Sequence, residues 1–458
     1  MKRHIDLTRG SVAKHLTLLT LPMIGGIFAI MAYNLTDTYF VSRLGTDELA
    51  SITFTFPVVM VVGALALGMG MGAGSCISRA LGAGDFHRVR RLATDGLFLS
   101  LLIVGVVGFL GLLTIDPVFT ALGATPDQLP LIREYMVLWF SCVAVTVIPM
   151  VGNHMIRATG KTVLPSLLMI LGALLNVVLD PILIFGWGPV PALGVYGAVL
   201  ATVASRFVSG AILLWMLARH YGMLDLTRPR WPELLDSWKA MLQVAVPTAG
   251  TEMLMPASRA LLVRLVALYG TSAVAAVGAG IRIEQFLYIV PIAMGTCLIP
   301  LAGQNWGAAR LDRVRRVRTC SAIFDISYGL VSFLLALVAA GPIARQFSDN
   351  PEVVVQIVWY VRAILLGSAL HHVGVHTGYL FNAINHPGWA ALFNALRMPA
   401  IMILCAWLGM VLGDLHGLFL GLGIAPLFSG AIGLAWFEYA VRRAERKQAA
   451  IPGTDRAE

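Results

Sequence analysis

Acidic and amide side chains inside apolar segments are the residues of this sequence whose types and spacing could do chemistry. Asp37 follows Asn34 by three residues, so a helix would place a carboxylate and an amide on one face. Asp180 lies one helical turn after Asn176 and directly before Pro181. A carboxylate at the middle of a bilayer costs about 3 kcal/mol. Two such residues with aligned partners favour a functional site, and a packing or snorkelling role is the alternative.

Two further polar residues are predicted to lie at the depth of these aspartates. Tyr135 is near the start of the fourth apolar segment, and Thr202 is eight residues into the sixth. Two carboxyl groups in one layer of low dielectric constant disfavour double ionisation, so we expect one of them to hold a proton. Sodium is the alternative ion, because the carboxyl, amide and hydroxyl groups of this layer could supply several oxygen ligands.

The second half of the sequence carries a different polar set. Glu252 lies in the seventh apolar segment, and His371, His372 and His376 lie in the tenth. His372 and His376 would share a helix face, but no carboxylate or cysteine accompanies them at ligand spacing, so we predict no metal site. Glu252, His372 and His376 form a secondary candidate site, with structural packing or a lining role as the alternative.

Twelve apolar segments must position these residues. The chain has 458 residues, of which 58% are hydrophobic and 12% charged, and its mean hydropathy is +0.81. A soluble protein has roughly 25% charged residues. The composition therefore excludes a soluble protein and predicts a lipid bilayer as the surroundings. The runs long enough to cross about 30 Å of hydrocarbon are 16–40, 52–77, 94–114, 133–152, 163–186, 194–217, 241–265, 277–301, 319–340, 357–381, 389–411 and 415–437.

Basic residues between these segments predict the orientation. The N-terminus, the even-numbered loops and the C-terminal tail hold 24 Lys and Arg residues, whereas the odd-numbered loops hold three. Because positive residues stay on the cytoplasmic side, both termini are predicted to be cytoplasmic in an inner or plasma membrane. The net charge of +9 therefore reflects topology, and no nucleic-acid partner is predicted.

An internal repeat relates the two halves of the chain. An offset of 225 residues superposes Pro22 on Pro247 and the arginine run 88–91 on 313–316. Chance similarity of apolar helices explains shared glycines but not the arginine run. We predict an all-α polytopic membrane protein of two six-helix lobes, related by a pseudo-twofold parallel repeat. The predicted limits are an N-lobe at 1–217, a cytoplasmic linker at 218–240, a C-lobe at 241–437 and a basic cytoplasmic tail at 438–458.

The sequence resembles the multidrug and toxic compound extrusion (MATE) transporters over essentially its whole length. The resemblance is carried by NLTDTYFVSRLG at 34–45, RALGAGDFHRVRR at 79–91, NVVLDPILIFGWG at 176–188 and GQNWGAAR at 303–310. It is closest to the bacterial DinF-like branch. In that branch an N-lobe carboxylate pair is the proton site, which by resemblance would consist here of Asp37, Tyr135, Asn176, Asp180 and Thr202, with Asn34 beside them.

The same resemblance bears on the second half. Glu252 lies where sodium-coupled members keep an acidic residue in the seventh helix. Those members also have an acidic residue in the tenth helix, where this sequence has His371, His372 and His376. This departure disfavours a sodium site in the C-lobe.

The resemblance implies a secondary active antiporter. It would export cationic or amphipathic organic compounds (drugs, toxins or metabolites) in exchange for protons by alternating access, as a monomer without a cofactor. The alternatives are a sodium-coupled drug antiporter and a lipid-linked precursor flippase, which would need a more cationic cavity. An enzyme is not predicted, since no HExxH or DDxxD constellation occurs. A channel would repeat its charged rings by symmetry, whereas the positions that match Asp37 and Asp180 are Leu262 and Cys405.

Overall fold

The computed structural model describes residues 4–225, 227 and 230–450, and at Asp47 only the backbone. Over these residues the protein is all-α, and an isolated bridge between Trp187 and Val190 is the only β-type pairing. The long apolar helices make it a multi-pass membrane protein, as the sequence predicted. Leu226, Arg228 and Pro229 in the predicted linker, and 451–458 in the predicted tail, lie outside the described residues.

Twelve helices cover most of the described chain, and a short helix, Ile115–Ala121, lies between the third and fourth. Some of them contain breaks: α4 and α8 each consist of two segments, a π-helical turn Met216–His220 extends α6, and α11 contains the π-helical turn Leu396–Ile401. The helices are α1 Val12–Ser42, α2 Thr46–Gly82, α3 Phe86–Leu113, α4 Leu129–Ser141 with Val143–Ala158, α5 Val163–Phe185, α6 Gly194–Trp215, α7 Trp231–Ala267, α8 Thr271–Leu287 with Ile289–Gly307, α9 Leu311–Ala344, α10 Pro351–Ala383, α11 387–412 and α12 415–449.

The break between α11 and α12 lies within one continuous helical assignment, Met402–Ala449. Gly413 and Asp414 have non-helical backbone angles there, with φ of −158° and +52° respectively. The predicted gap between the last two apolar segments coincides with this break. The predicted tail begins at 438, but α12 continues to Ala449, so the start of the tail is helical.

The two segments of α4 and the two segments of α8 meet at 51° in both cases. The bend of α8 lies beside a proline. Pro291 has no N–H to donate to the Leu287 carbonyl four residues earlier, and that carbonyl accepts from the Tyr328 hydroxyl at 2.7 Å. In α4 the break falls at Cys142, seven residues before Pro149.

The chain divides into two compact units, unit 1 (Met1–Asp6 and Leu18–Ala249) and unit 2 (Leu7–Thr17 and Gly250–Glu458). The division falls inside α1 and inside α7, whereas the predicted lobes meet at a linker. Residues 231–240 of that linker are the helical start of α7 and pack in unit 1. There the Trp238 indole N–H donates to the Asp95 carbonyl at 3.1 Å, and Asp236 pairs with Arg88 at 2.5 Å.

Glycines on α2 allow two neighbouring helices to approach closely in unit 1. A Cβ at Gly68 would lie 2.5 Å from the Ala245 carbonyl oxygen on α7, and one at Gly72 would lie 2.7 Å from the Met241 carbonyl oxygen. On another face, a Cβ at Gly70 would lie 2.5 Å from the His154 ring on α4. The small residues therefore serve backbone packing, as they do in membrane helices generally.

Candidate functional site

Four helices of unit 1 carry the predicted coupling residues. Asp37 is on α1, Tyr135 on α4, Asn176 and Asp180 on α5, and Thr202 on α6. Asn176 and Asp180 are 1% and 0% exposed, so α5 directs both inward. Asp37, Tyr135 and Thr202 are half-buried.

Asn176 connects α5 to α6. Its amide nitrogen donates to the Thr202 hydroxyl at 3.3 Å, and its side chain also acts on the Asp180 carboxyl one turn later. Neither Asp180 oxygen, both of them buried, makes a hydrogen bond of good geometry to any described residue. A buried carboxyl group with so few hydrogen bonds is costly to hold as an anion.

Asp37 and two tyrosines surround this carboxyl. Asp37 acts electrostatically on Asp180, and both act on Tyr33 and Tyr135. Tyr33 lies one turn before Asp37 on α1 and also interacts with the Thr202 side chain. The structure thus places Asp37, Tyr135 and Asp180 within electrostatic reach of one another.

Two residues, Asn34 and Arg206, bear on the composition of the site. The Asn34 side chain is exposed, and the structure shows no hydrogen bond from it to the carboxyl groups. Arg206 was not predicted, yet its guanidinium carbon lies 5.8 Å from the centre of the Tyr33 ring. It follows Thr202 by one helical turn on α6, and this spacing in the sequence could have revealed it. The site therefore combines two carboxyl groups with one fixed cation.

The secondary candidate residues of unit 2 separate into two groups. Glu252 on α7 is half-buried and interacts with Arg397, which lies in the π-helical turn of α11 and is 8% exposed. His376 instead lies against Asp325 on α9, with Nδ1 2.8 Å from Oδ2. His372 packs edge-on against Tyr288, with the ring centres 4.5 Å apart.

Asp325 and Arg397 are polar residues of unit 2 that the sequence patterns above do not include. Asp325 is an isolated carboxylate in a long apolar segment, so the rule that selected Asp37 would have selected it too. No group of three His, Cys, Asp or Glu side chains that could hold a metal ion occurs among residues 4–225, 227 and 230–450.

Known proteins match this chain along almost all of its length. The sequence profile of the MatE family matches residues 22–182 and again 247–408. The chain belongs to the MATE family. The two matched segments begin 225 residues apart, which is the offset of the internal repeat. Members of this family are membrane transporters that act on small molecules, so the protein is a transporter and not an enzyme.

Curated MATE relatives differ in the substrates that their names state. The FAD transporter of Shewanella oneidensis is 32% identical over 432 residues, which cover 94% of this chain and 95% of that protein. The multidrug export protein MepA of Staphylococcus haemolyticus is 24% identical over 410 residues, covering 89% of this chain and 88% of that protein.

Solved structures of MATE transporters have the same fold. The crystal structure of the Vibrio cholerae MATE transporter VcmN in the bent form has a TM-score of 0.90 and 28% identity, covering 94% of this chain and 97% of that one. An outward-facing multidrug resistance MATE transporter of the MOP superfamily also has a TM-score of 0.90, at 24% identity, covering 97% and 99%.

Proposed function

We propose that this MATE transporter exports organic compounds in exchange for protons, with Asp37 and Asp180 as the coupling groups. The observation that carries the proposal is the environment of Asp180, which is fully buried beside Asn176 and acted on by a second carboxyl group. Two such groups cannot both be anionic at low cost. Binding of one proton on one side of the membrane and its release on the other would therefore change the charge of the site during the transport cycle.

The remaining features of the proposal follow from the sequence. We place both termini in the cytoplasm of a cell membrane, inner or plasma, and treat the transporter as a monomer without a cofactor. The basic residues of the even-numbered loops support this orientation. Cysteines introduced at Thr125 and Asn350 would then react with an impermeant thiol reagent added outside cells, and one at Thr227 would not.

The deciding experiment compares two gradients in proteoliposomes. Efflux of a cationic dye is measured with a pH gradient without sodium, and with a sodium gradient at equal pH. We expect transport with the pH gradient alone. Transport with the sodium gradient alone would contradict proton coupling and favour the sodium alternative.

Isosteric variants locate the coupling groups in the same assay. Asp37→Asn and Asp180→Asn retain size and hydrogen-bonding capacity but cannot titrate, so pH-driven efflux should collapse while protein abundance is unchanged. Asp116→Asn is the matched control, because Asp116 pairs with Arg133 and both side chains are exposed. Near wild-type efflux by both coupling variants would make the two carboxyl groups structural.

A second candidate substrate is an anionic flavin dinucleotide. The S. oneidensis relative is named as an FAD transporter. Unit 2 also contains groups suited to an aromatic anion: the buried guanidinium of Arg397, and the rings of Tyr288 and His371, which stack with centres 5.4 Å apart. Efflux of FAD and of the cationic dye from the same vesicles distinguishes the two classes. Efflux of the dye with no efflux of FAD would favour a cationic substrate.

A further inference from the structure

His376 is held between a carboxyl group and a backbone carbonyl in unit 2. Its Nδ1 lies 2.8 Å from Oδ2 of Asp325 on α9, and its Nε2 lies 3.0 Å from the carbonyl oxygen of Pro291 on α8. Both side chains are buried, with 2% of His376 and none of Asp325 exposed. One imidazole therefore connects three helices.

The two contacts together fix the number of protons on the pair. The Pro291 carbonyl can only accept a hydrogen bond, so Nε2 must carry a proton. The contact between Nδ1 and Oδ2 also needs a proton, which lies on the imidazole as an ion pair or on the carboxyl group as a neutral pair. In both forms the pair holds one proton more than a carboxylate beside a neutral histidine.

Removal of this proton cannot leave the geometry unchanged. A ring protonated at Nε2 alone would direct its Nδ1 lone pair at an anionic oxygen 2.8 Å away. A ring protonated at Nδ1 alone would direct its Nε2 lone pair at the Pro291 oxygen 3.0 Å away. Either arrangement replaces a hydrogen bond with repulsion between lone pairs in a buried place.

The polar groups around the pair make few hydrogen bonds with it. The other Asp325 oxygen is buried without a hydrogen bond to any described residue. The His372 ring stacks on His376 with centres 6.4 Å apart, and its Nε2 is also buried without a described partner. The titratable or charged groups around the pair and its neighbouring histidines are His371, His372 and Tyr379 on α10, Tyr328 on α9, Tyr288 at the bend of α8, Arg397 on α11 and Arg259 on α7.

The backbone of α8 accommodates the imidazole. A Cβ at Gly295 would lie 3.0 Å from His376 Cδ2 and 2.6 Å from the Tyr379 ring, so the absence of a side chain admits both rings. The first repeat lacks the pair: the positions that correspond to Asp325 and His376 at the 225-residue offset are Ser100 and Val151. The pair is therefore a feature of the second repeat and not of the duplicated framework.

We propose that Asp325 and His376 form a second proton-binding site, in unit 2, separate from the aspartate pair of unit 1. The structure shows its proton-bound form, in which α8, α9 and α10 are joined through the imidazole. Release of the proton breaks one of the two contacts and loosens that junction. Glu252 has no part in this site. The inference concerns protonation and does not rest on the proposed substrate or coupling ion.

The test is magnetic resonance of the full-length protein in lipid nanodiscs, with ¹⁵N-labelled histidine and ¹³C-labelled aspartate. His376→Gln and Asp325→Asn identify the two signals by their loss. Between about pH 5 and pH 8, the range in which histidines ordinarily titrate, we expect either a doubly protonated ring at His376 or a protonated carboxyl group at Asp325.

Asp325→Asn is the decisive variant because it should retain the fold. The asparagine amide can donate to Nδ1 while Nε2–H donates to Pro291, so both contacts persist with a neutral ring that takes up no extra proton. Asp37→Asn is the control and should leave the His376 signal unchanged. A neutral ring beside an ionised Asp325 throughout this pH range in the wild-type protein would overturn the proposal. Because no transport is measured, this result is independent of the gradient assay.

Discussion

Thr202 joins two helices of the unit 1 site through its hydroxyl group, which can be removed without changing any charge. Thr202→Val preserves the shape of the side chain but removes the hydroxyl group that accepts a hydrogen bond from the buried Asn176 amide. A lost hydrogen bond of this kind costs about 1 kcal/mol. We therefore expect pH-driven efflux to fall by about fivefold in proteoliposomes. Thr202→Ser retains the hydroxyl group and should export at the wild-type rate; equal loss in both variants would attribute the effect to packing.

The residues that the sequence analysis selected and those that it missed differ in a physical way. Asp180 and Asn176 could be paired in advance, because one helical turn separates them. The contact of His376 with Asp325 joins residues 51 positions apart on different helices. Side-chain spacing along one helix carries no information about such a pair. Arg206 follows Thr202 by one helical turn, and this spacing could be seen in the sequence. Its contact with the Tyr33 ring could not, because Tyr33 is on another helix.

At the level of elements, Asp414 marks the break between α11 and α12. Its φ of 52° and ψ of −138° lie in a region that is natural for glycine and strained for other residues. Asp414→Gly should therefore raise the free energy of unfolding by about 1 kcal/mol, measured by denaturant titration in detergent. Asp414→Ala retains the Cβ atom and is the control. A gain with alanine as large as that with glycine would place the strain elsewhere.

The contact of α12 with α10 depends on a glycine. A Cβ at Gly423 would lie 1.9 Å from the Ala363 carbonyl oxygen, so Gly423→Ala must push the two backbones apart. Forced overpacking of this kind costs roughly 1–3 kcal/mol, and we expect a lower midpoint of thermal unfolding.

Gly278→Ala on α8 is the matched control, since a Cβ there meets nothing within 4 Å. Alanine favours a helix over glycine by about 1 kcal/mol, so this variant should unfold at the same or a higher temperature. Destabilisation of equal size in both variants would contradict the role assigned to the close approach of the α10 and α12 backbones.

Element limits show what the sequence could predict. The lengths of the apolar segments predict the number of helices. The gap at 412–414 predicts the break between the last two. The start of α7 was missed by ten residues, because the segment 231–240 contains charges such as Glu233, Asp236 and Lys239 and reads as a linker. Its helical state depends on contacts made within unit 1, such as that of Trp238 with Asp95. Tertiary packing decides such amphipathic segments.

For the whole molecule, the two repeats have kept one framework and diverged in their ionisable pairs. Asp37 and Asp180 correspond to Leu262 and Cys405, and Asp325 and His376 correspond to Ser100 and Val151. The pairs therefore arose at positions that are not equivalent. For Asp37 and Asp180 the asymmetry is visible in the sequence, because the 225-residue offset identifies the corresponding residues of the second repeat.

The boundaries of the two units have a consequence for a chain that is cut in two. Residues 7–17 belong to unit 2 and residues 18–249 belong to unit 1. Severing the polypeptide after Thr227 would therefore leave each fragment with a segment that packs in the unit formed mainly by the other fragment. Each fragment thus contributes a segment to the other, as protomers do in a domain-swapped dimer. We expect them to co-elute in mild detergent after cleavage at a protease site inserted there. Separation of the fragments under those conditions, with the uncut protein intact, would contradict this reciprocal exchange.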